Sequence, residues 1–298
     1  MTEPRDTLLW RPILRGANRR SLMEASLVLT AVDVDHVLVE ETDDWCLKVP
    51  DERAPEAIAH LERYRLENQP PPPPRAPARI DSGLAGVLGF LLVIWSVPFL
   101  QNQGAFDWDW LSAGRVEAGA VKAGAWWRTV TALTLHADLG HILGNSVFGV
   151  LFGLFAGRFM GSGLAWLLIL LGGAIGNNVA AWMRPDEFRA IGASTATFAA
   201  LALSSGYVWR KGYFAGRGWK RAFAPVFAAI ALLSFTGAGG EDTDVLAHMT
   251  GFASGLGLGI WAASWPIWRL GRIGQQLCGV AALLLIVIAW SQAAAVCC

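Results

Sequence analysis

Residues 164–183 read LAWLLILLGGAIGNNVAAWM, and none of these positions carries an acidic or a basic side chain. A helix needs about 20 mostly apolar residues to cross a hydrocarbon core of about 30 Å. This stretch is therefore predicted to span a membrane. The whole chain of 298 residues has the same character, since 54% of its residues are hydrophobic and only 16% are charged. Such a composition is typical of a polytopic membrane protein.

Six other apolar stretches fit the same criterion, although the fifth span is short. The seven predicted spans are residues 80–100, 139–156, 164–183, 191–209, 222–236, 245–264 and 277–296. We therefore expect an all-α polytopic membrane protein with six core helices and an additional seventh helix near the C-terminus.

The basic residues between the spans predict the orientation. With the N-terminus in the cytoplasm, the short inside segments carry eight bases and the outside segments carry five. The inside bases are Arg158, Arg210, Lys211, Arg217, Lys220, Arg221, Arg269 and Arg272. This excess satisfies the positive-inside rule. An odd number of spans then places Cys298 in the periplasm, if the host membrane is a bacterial inner membrane, as we expect.

Residues 1–68 differ from the rest of the chain because they contain charged stretches and no span. Helices over 21–30 and 54–67, with strands over 36–41 and 45–49, predict a small cytoplasmic α+β domain. Residues 69–79 are rich in proline, which favours an extended, stiff linker. We expect the helical core to occupy residues 80–264, followed by a linker and the extra helix over 265–298.

Four polar residues are predicted to lie at one depth in the membrane. They are His141 and Asn145 on span two, Ser194 on span four and His248 on span six. At ~1.5 Å per helical residue, all four lie within ~10 Å of the non-cytoplasmic surface. Polar and ionisable groups are costly in lipid, so their clustering favours a functional site over isolated structural roles. A serine and a histidine together supply a nucleophile and the base that activates it.

Small residues predict that spans four and six approach closely. Gly251, Gly255 and Gly259 recur every four residues on span six, and span four offers Gly192, Ala196 and Ala200 at the same spacing. Such faces let membrane helices pack backbone to backbone, either to bring Ser194 to His248 or simply to pack the bundle.

His141 and Asn145 are four residues apart and therefore share one helix face. Their donors, together with the backbone N–H of Ser194, are candidates to stabilise an oxyanion formed on the target of Ser194. Neither the histidines nor the four cysteines show the spacing of a metal site, and no cofactor is expected. A formal net charge of zero gives no indication of nucleic-acid binding.

Five motifs in order resemble the rhomboid family of intramembrane serine proteases. They are Trp127-Arg128, His136, His141-x-x-x-Asn145, Gly192-x-Ser194 and Ala247-His248-x-x-Gly251. The resemblance covers about residues 80–264. It implies a six-helix core in which Ser194 is the nucleophile and His248 the general base. It also implies an oxyanion hole lined by His141 and Asn145.

The resemblance gives three further residues supporting roles. Gly192 would permit the tight start of the helix beside Ser194, Phe198 would pack against the catalytic imidazole, and Gly251 belongs to the histidine motif. Thr195 stands where many members have glycine, and we expect this difference to alter the fit at the oxyanion side. The seventh span and the N-terminal domain are additions to the core.

The resemblance implies that the substrates are single-span or polytopic membrane proteins, cleaved near the outer leaflet through an acyl-enzyme. The substrate would reach the site between spans two and five, where Phe148, Phe152, Phe155, Phe223 and Phe227 form a gate or pack the core. Residues 237–240 would cap the site. An inactive rhomboid-like protein that binds membrane clients is the alternative, and a transporter would show inverted repeats or paired buried charges.

Overall fold

The computed structural model describes residues 9–41, 44–68, 80–213, 219–236 and 244–297. The chain divides into two compact units, Met1–Pro73 and Pro74–Cys298. The proline-rich linker at 69–79, the basic residue Arg217 and the predicted cap at 237–240 lie outside the described residues.

The N-terminal unit contains a three-stranded antiparallel sheet and two helices. Its elements are β1 (Trp10–Gly16), α1 (Arg19–Ala31), β2 (Val37–Glu40), β3 (Trp45–Pro50) and α2 (Ala54–Glu67). Strand β3 lies in the centre of the sheet, with the order β1-β3-β2. Leu22, Leu29, Leu47 and Val49 form its core.

Strand β1 was not predicted from the sequence. It pairs with β3 from Trp10↔Pro50 to Gly16↔Trp45, and the register shifts between Pro12 and Leu14. Proline has no N–H for the ladder and is confined to strand edges and bulges, which weakens the strand pattern in the sequence. The edge position of β1 and this irregularity explain why the alternation of apolar and polar residues did not predict the strand.

Five helices of the second unit are long and apolar enough to cross a membrane. These candidate spans are Leu84–Asn102, Leu139–Met160, Ser162–Trp182, Val245–Ala263 and Ile267–Ala295. The protein is therefore an integral membrane protein. We name the first four α3, α7, α8 and α12, and the helix Gly271–Cys297 within the fifth is α13.

The two other predicted spans also form helices, but both are shorter. Helix α9 runs from Ser194 to Arg210 over 17 residues, and α11 covers Ala224–Thr236 over 13 residues, preceded by the short helix α10 (Trp219–Ala222). Helix α9 packs against α7, α8 and α12, whereas α11 packs chiefly against α9. The prediction that span four begins at residue 191 was wrong, because the helix begins at Ser194 itself.

The segment between α3 and α7 is structured rather than an open loop. It contains the short helices α4 (Trp110–Gly114), α5 (Ala118–Lys122) and α6 (Arg128–Thr131), and its strand β4 (Val116–Glu117) pairs with β5 (Arg189–Ala190). The guanidinium of Arg128 donates hydrogen bonds to the carbonyls of Ser112 and Arg115, both 2.9 Å away. These bonds join parts of the segment to one another, and the β4–β5 pair connects it to the residues just before α9.

Helix α13 is attached to the rest of the bundle by polar contacts at both ends. Near its start, the Gln275 side chain accepts from the Leu164 N–H at 2.9 Å and donates to the Met160 carbonyl at 2.8 Å. Near its end, the Trp290 indole N–H donates to Thr134 Oγ1 at 3.2 Å. The seventh helix is thus an integral part of the unit rather than a loosely attached addition.

Candidate active site

Ser194 lies at the first residue of α9. The chain approaches it through Gly192, whose φ of +127° is unfavourable for residues with a side chain. The Gly192 N–H donates to the carbonyl of Ala132 at 2.9 Å, which anchors this turn. Because the first N–H groups of a helix have no intrahelical acceptor, the N–H of Ser194 points out of the helix start.

His248 lies in the first turn of α12 and is only 7% exposed. Asp244 caps this helix, since its Oδ1 accepts from the Ala247 N–H at 3.1 Å. The His248 Nε2 lies 2.9 Å from Ser194 Oγ, which is hydrogen-bonding distance. The Phe198 ring packs on the imidazole with the ring centres 4.5 Å apart. The structure thus brings together the two residues that were predicted from different spans.

Glycines on α12 allow this approach, as the sequence indicated. A Cβ at Gly251, Gly255 or Gly259 would collide with backbone of α9. The α9 carbonyls that these three glycines face are those of Thr195, Ala199 and Leu203.

The predicted partner face on span four was wrong. It was expected to be Gly192, Ala196 and Ala200, but Gly192 precedes the helix and the face is rotated by one residue. Ala196 instead faces Gly173 of α8, where an added Cβ would lie 2.8 Å from its own. Successive residues along a helix point in directions about 100° apart. The four-residue spacing therefore predicted that α9 and α12 pack closely, but it did not predict which residues of α9 face the glycines.

Thr195 lies in this helix contact. It is 3% exposed, and its Cγ2 would be 2.8 Å from a Cβ at Gly251 and 2.9 Å from one at Gly176. The expectation that Thr195 alters the oxyanion side stays a prediction, and the structure gives its side chain a packing role. The methyl group fills the space between two glycines of α12 and α8.

His141 and Asn145 converge on the backbone that precedes Ser194. A Cβ at Gly192 would lie 2.6 Å from His141 Nε2 and 3.8 Å from Asn145 Nδ2. His141 Nδ1 is 3.4 Å from the Ala137 N–H and accepts from it, which leaves the proton on Nε2. Asn145 Nδ2 is buried and has no hydrogen-bond acceptor among the described residues. A buried amide donor without an acceptor costs about 1–3 kcal/mol, so this one needs an explanation, and its place beside Ser194 makes it a candidate donor to an oxyanion.

His136 is a further histidine beside this group. Its ring centre lies 5.1 Å from that of His141, with the rings nearly perpendicular. Burial, followed by the proximity of His141, lowers the pKa of His136 to about 4. His136 is therefore neutral at pH 7, and no positive charge accumulates behind His141.

An ion pair that sequence reasoning missed holds the start of α12. Arg184 Nη2 lies 2.9 Å from Asp244 Oδ1, the oxygen that also caps the helix. The two residues are 60 positions apart, and neither lies in a motif that indicates the pair. An aspartate just before an apolar helix does indicate an N-cap, which was the available signal for Asp244.

The aromatic residues suggested as a gate occupy different environments. Phe152 is 5% exposed and belongs to the core, with Phe148 stacked on it at 5.9 Å. Phe155 and Phe227 are exposed by 47% and 53%, respectively. Core packing thus describes Phe152, while the exposed phenylalanines lie on helix surfaces that face outward.

Within the described ranges, no three His, Cys, Asp or Glu side chains gather as a potential metal site. The chemistry of the Ser194–His248 group is that of a nucleophile, a base and hydrogen-bond donors. Such a group is suited to acyl transfer, because the donors surround the position where an oxyanion would form.

Comparison with known sequences agrees with this chemistry. Residues 123–266 match the family model described as Rhomboid domain. Over 171 residues the chain is 28% identical to "Putative rhomboid protease YdcA" of Bacillus subtilis (strain 168), an alignment that covers 57% of this chain and 82% of that protein. Over 135 residues it is 30% identical to "Rhomboid-like protease 3" of Toxoplasma gondii, with 44% of this chain and 50% of that protein covered.

Proposed function

We propose that this chain, whose residues 123–266 match the family model described as Rhomboid domain, is a rhomboid-type intramembrane serine endopeptidase. The observation that carries this proposal is the 2.9 Å contact between Ser194 Oγ and His248 Nε2. The two groups come from different helices and meet beside the buried, unpaired donor of Asn145. A merely structural serine in a membrane helix usually bonds to a carbonyl of its own helix.

In the proposed reaction, Ser194 Oγ attacks the carbonyl carbon of a peptide bond while its proton passes to His248 Nε2. The oxyanion forms where the donors of His141, Asn145 and the Ser194 backbone converge. The imidazolium then gives its proton to the leaving amine, and an acyl-enzyme remains on Ser194. Water, deprotonated by His248, hydrolyses this ester and regenerates the hydroxyl group.

We propose that the substrates are membrane proteins cleaved within or beside a transmembrane segment. A helix hides its carbonyls in backbone hydrogen bonds, so the segment must unwind locally before Ser194 reaches a carbonyl. Small or helix-breaking residues at the cleavage site would favour this step. The seam between α7 and α11 is the proposed access route, supported by the limited packing of α11 beyond α9 and the exposed rings of Phe155 and Phe227.

The proposed topology has six core helices, α3, α7, α8, α9, α11 and α12, with α13 as the seventh. The excess of basic residues at the opposite end from Ser194 supports a cytoplasmic N-terminus and a periplasmic C-terminus. Ser194 would then act near the outer leaflet of a bacterial inner membrane. Helix α9 has only 17 residues, or about 25 Å, which suits a buried helix that stops below the membrane surface.

The alternative is a rhomboid-like protein that binds membrane clients without cleaving them. Such a role needs neither a serine–histidine contact nor a free amide donor. The geometry therefore favours the enzyme, and the difference between the two functions can be measured directly.

The decisive experiment labels the full chain in detergent with a fluorescent fluorophosphonate and measures cleavage of a tagged single-span substrate. Ser194→Ala should abolish both labelling and cleavage, and His248→Ala should reduce both by at least about 10³-fold. Ser26→Ala is the matched control, because Ser26 Oγ also lies 2.7 Å from a histidine, His36. Labelling that survives in Ser194→Ala and disappears in Ser26→Ala would refute the assignment, and absence of labelling in the folded wild type would favour the binding protein.

A further inference from the structure

A large cavity lies on a side of the bundle that the proposed chemistry does not use. It has a volume of about 880 Å³ and is bounded by helices α3, α8 and α13. Its rim includes the exposed residues Gln276 and Leu283 of α13, so the cavity is accessible from outside the bundle. In a membrane, this opening faces the lipid.

The walls of the cavity are mainly apolar. They include Phe90, Val93, Trp166, Ile169, Leu283 and Ile286. An apolar cavity does not hold water, because each water needs two to four polar partners. At the depth of the bilayer the natural occupant of such a space is therefore hydrocarbon.

The cavity is elongated along the membrane normal. On α13 its lining extends from Arg272 to Ile286, a rise of ~21 Å, compared with ~15 Å for one leaflet of the hydrocarbon core. One end is formed by Leu133, Thr134 and Ala193. Ala193 directly precedes Ser194, so this end lies behind the backbone that positions the nucleophile.

The opposite end of the cavity, at Arg272, is polar and offers a cation. Asp81 and Gln275 also line this end but are already engaged, since Asp81 accepts from Ser162 N–H at 2.7 Å and Gln275 bonds to two backbone groups. Arg272 lines the same end and is exposed, and among the described residues it forms no ion pair with a carboxylate within 4 Å. Its charge is thus available to an anion at the rim.

Neighbouring residues make this end suited to a lipid head group. Trp268 lines the cavity and is 68% exposed, and Lys211 Nζ lies 5.6 Å from the centre of its ring. Tryptophan with lysine and arginine is the usual composition at a membrane interface, where bases attract anionic lipids.

We propose that this cavity binds one acyl chain of an anionic phospholipid, with the phosphate at Arg272 and the chain end against Ala193. The occupant follows from three features together: an apolar space longer than one leaflet, an unpaired cation at its mouth and an interfacial tryptophan beside it. The bound chain fills the space behind the Gly192–Ser194 turn and supports the backbone there.

Gly89 offers a direct way to test the acyl-chain part of the proposal. It lines the cavity, and a Cβ added there would meet no atom within 4 Å. Gly89→Leu therefore occupies the cavity without a collision at Cβ. Gly257→Leu is the matched control, because a Cβ at Gly257 also meets nothing within 4 Å and Gly257 does not line the cavity.

The experiment uses the full chain with Ser194→Ala as background, so that its result does not depend on proteolysis. The protein is equilibrated in nanodiscs of phosphatidylglycerol and phosphatidylcholine, released into mild detergent, and its retained lipids are counted by native mass spectrometry. The parent protein and Gly257→Leu should retain one phospholipid, with phosphatidylglycerol preferred, whereas Gly89→Leu should lose most of it. Equal retention by Gly89→Leu and Gly257→Leu would overturn the site.

Arg272→Gln tests the head group separately and leaves the cavity unchanged. We expect the preference for phosphatidylglycerol over phosphatidylcholine to fall about fivefold, since one base near an anionic lipid contributes about 1 kcal/mol. Arg210→Gln, a base at the end of α9 outside the cavity lining, should leave the preference unchanged. An unchanged preference in Arg272→Gln, or an equal loss in both variants, would overturn the role of Arg272.

Discussion

The described part of the chain contains two serine–histidine pairs within hydrogen-bonding distance, one between helices α9 and α12 and one in the N-terminal unit. Ser194 Oγ is 2.9 Å from His248 Nε2, and Ser26 Oγ is 2.7 Å from His36 Nε2. In the second pair, His36 Nδ1 donates to the Val34 carbonyl at 2.8 Å, which leaves Nε2 to accept from the Ser26 hydroxyl. By distance and tautomer alone, Ser26 would be as good a candidate nucleophile as Ser194.

The surroundings of the two serines differ. Ser26 lies in the middle of α1, where its backbone N–H is used inside the helix. Ser194 begins its helix, and the side chains of His141 and Asn145 converge beside it. A nucleophile and a base become a candidate active site only where donors are placed for the charge that develops during reaction. This difference is open to measurement.

Removing the amide donor should have the largest effect. Asn145→Ala should lower kcat for a membrane substrate by about 10²–10³-fold with little change in KM, because the loss of one oxyanion donor costs about 3–4 kcal/mol. Steady-state cleavage in detergent measures this effect. If Asn145→Ala retained the wild-type kcat, the unpaired amide would not serve the reaction, and the contrast with Ser26 would weaken.

The close contact of α9 and α12 should come next in size. Gly255→Ala places a methyl group against the Ala199 backbone, so we expect destabilisation by about 1–3 kcal/mol and weaker probe labelling at Ser194. Thermal unfolding in detergent measures the loss of stability, and fluorophosphonate labelling measures the reactivity of Ser194. Gly257→Ala, where the new Cβ meets nothing within 4 Å, should leave both unchanged. Equal effects of Gly255→Ala and Gly257→Ala would contradict the importance of the close α9–α12 contact. The Ser26–His36 pair lies outside this contact and should be unaffected by either variant.

A smaller effect is expected from the neutral histidine behind the site. The folded pKa of His136 is about 4 because of burial, whereas a solvated histidine titrates near 6.5. Between these values the unfolded chain binds the proton more readily, so the contribution of His136 to stability is present above pH 6.5 and is lost as the pH falls towards 4. His136→Gln lacks this group, and its stability should decline less than that of the wild type over this range. Parallel pH profiles from thermal unfolding would argue against a buried, neutral His136.

The smallest effect should follow from loosening the seventh helix. Trp290→Phe removes the hydrogen bond to Thr134 Oγ1, two residues before His136, and should cost about 1 kcal/mol of stability. Trp182→Phe is the control, since Trp182 is 62% exposed at the end of α8. A melting temperature lowered only in Trp290→Phe would show that α13 stabilises the segment beside the site. Equal melting temperatures of the two variants would show that this hydrogen bond does not contribute to stability.

The membrane helices could be predicted from the sequence because each predicted stretch is apolar and carries at most one charged side chain. All seven predicted stretches form helices, although α9 and α11 are shorter than the candidate spans. The irregular strand β1 was missed, and the start of α9 was placed three residues too early. Local propensity does not specify where a helix begins when the residues before it are also apolar, and here the φ of Gly192 decides it.

The sequence by itself determined which residues could do chemistry, since His141, Asn145, Ser194 and His248 are polar groups in apolar segments where lipid makes them costly. Only the tertiary structure decided which of them meet. It rotated α9 so that Thr195 rather than Ala196 faces α12, and it paired Arg184 with Asp244 across 60 residues. A spacing in the sequence specifies one helix face, but the rotation of two faces against each other depends on how all the neighbouring side chains pack.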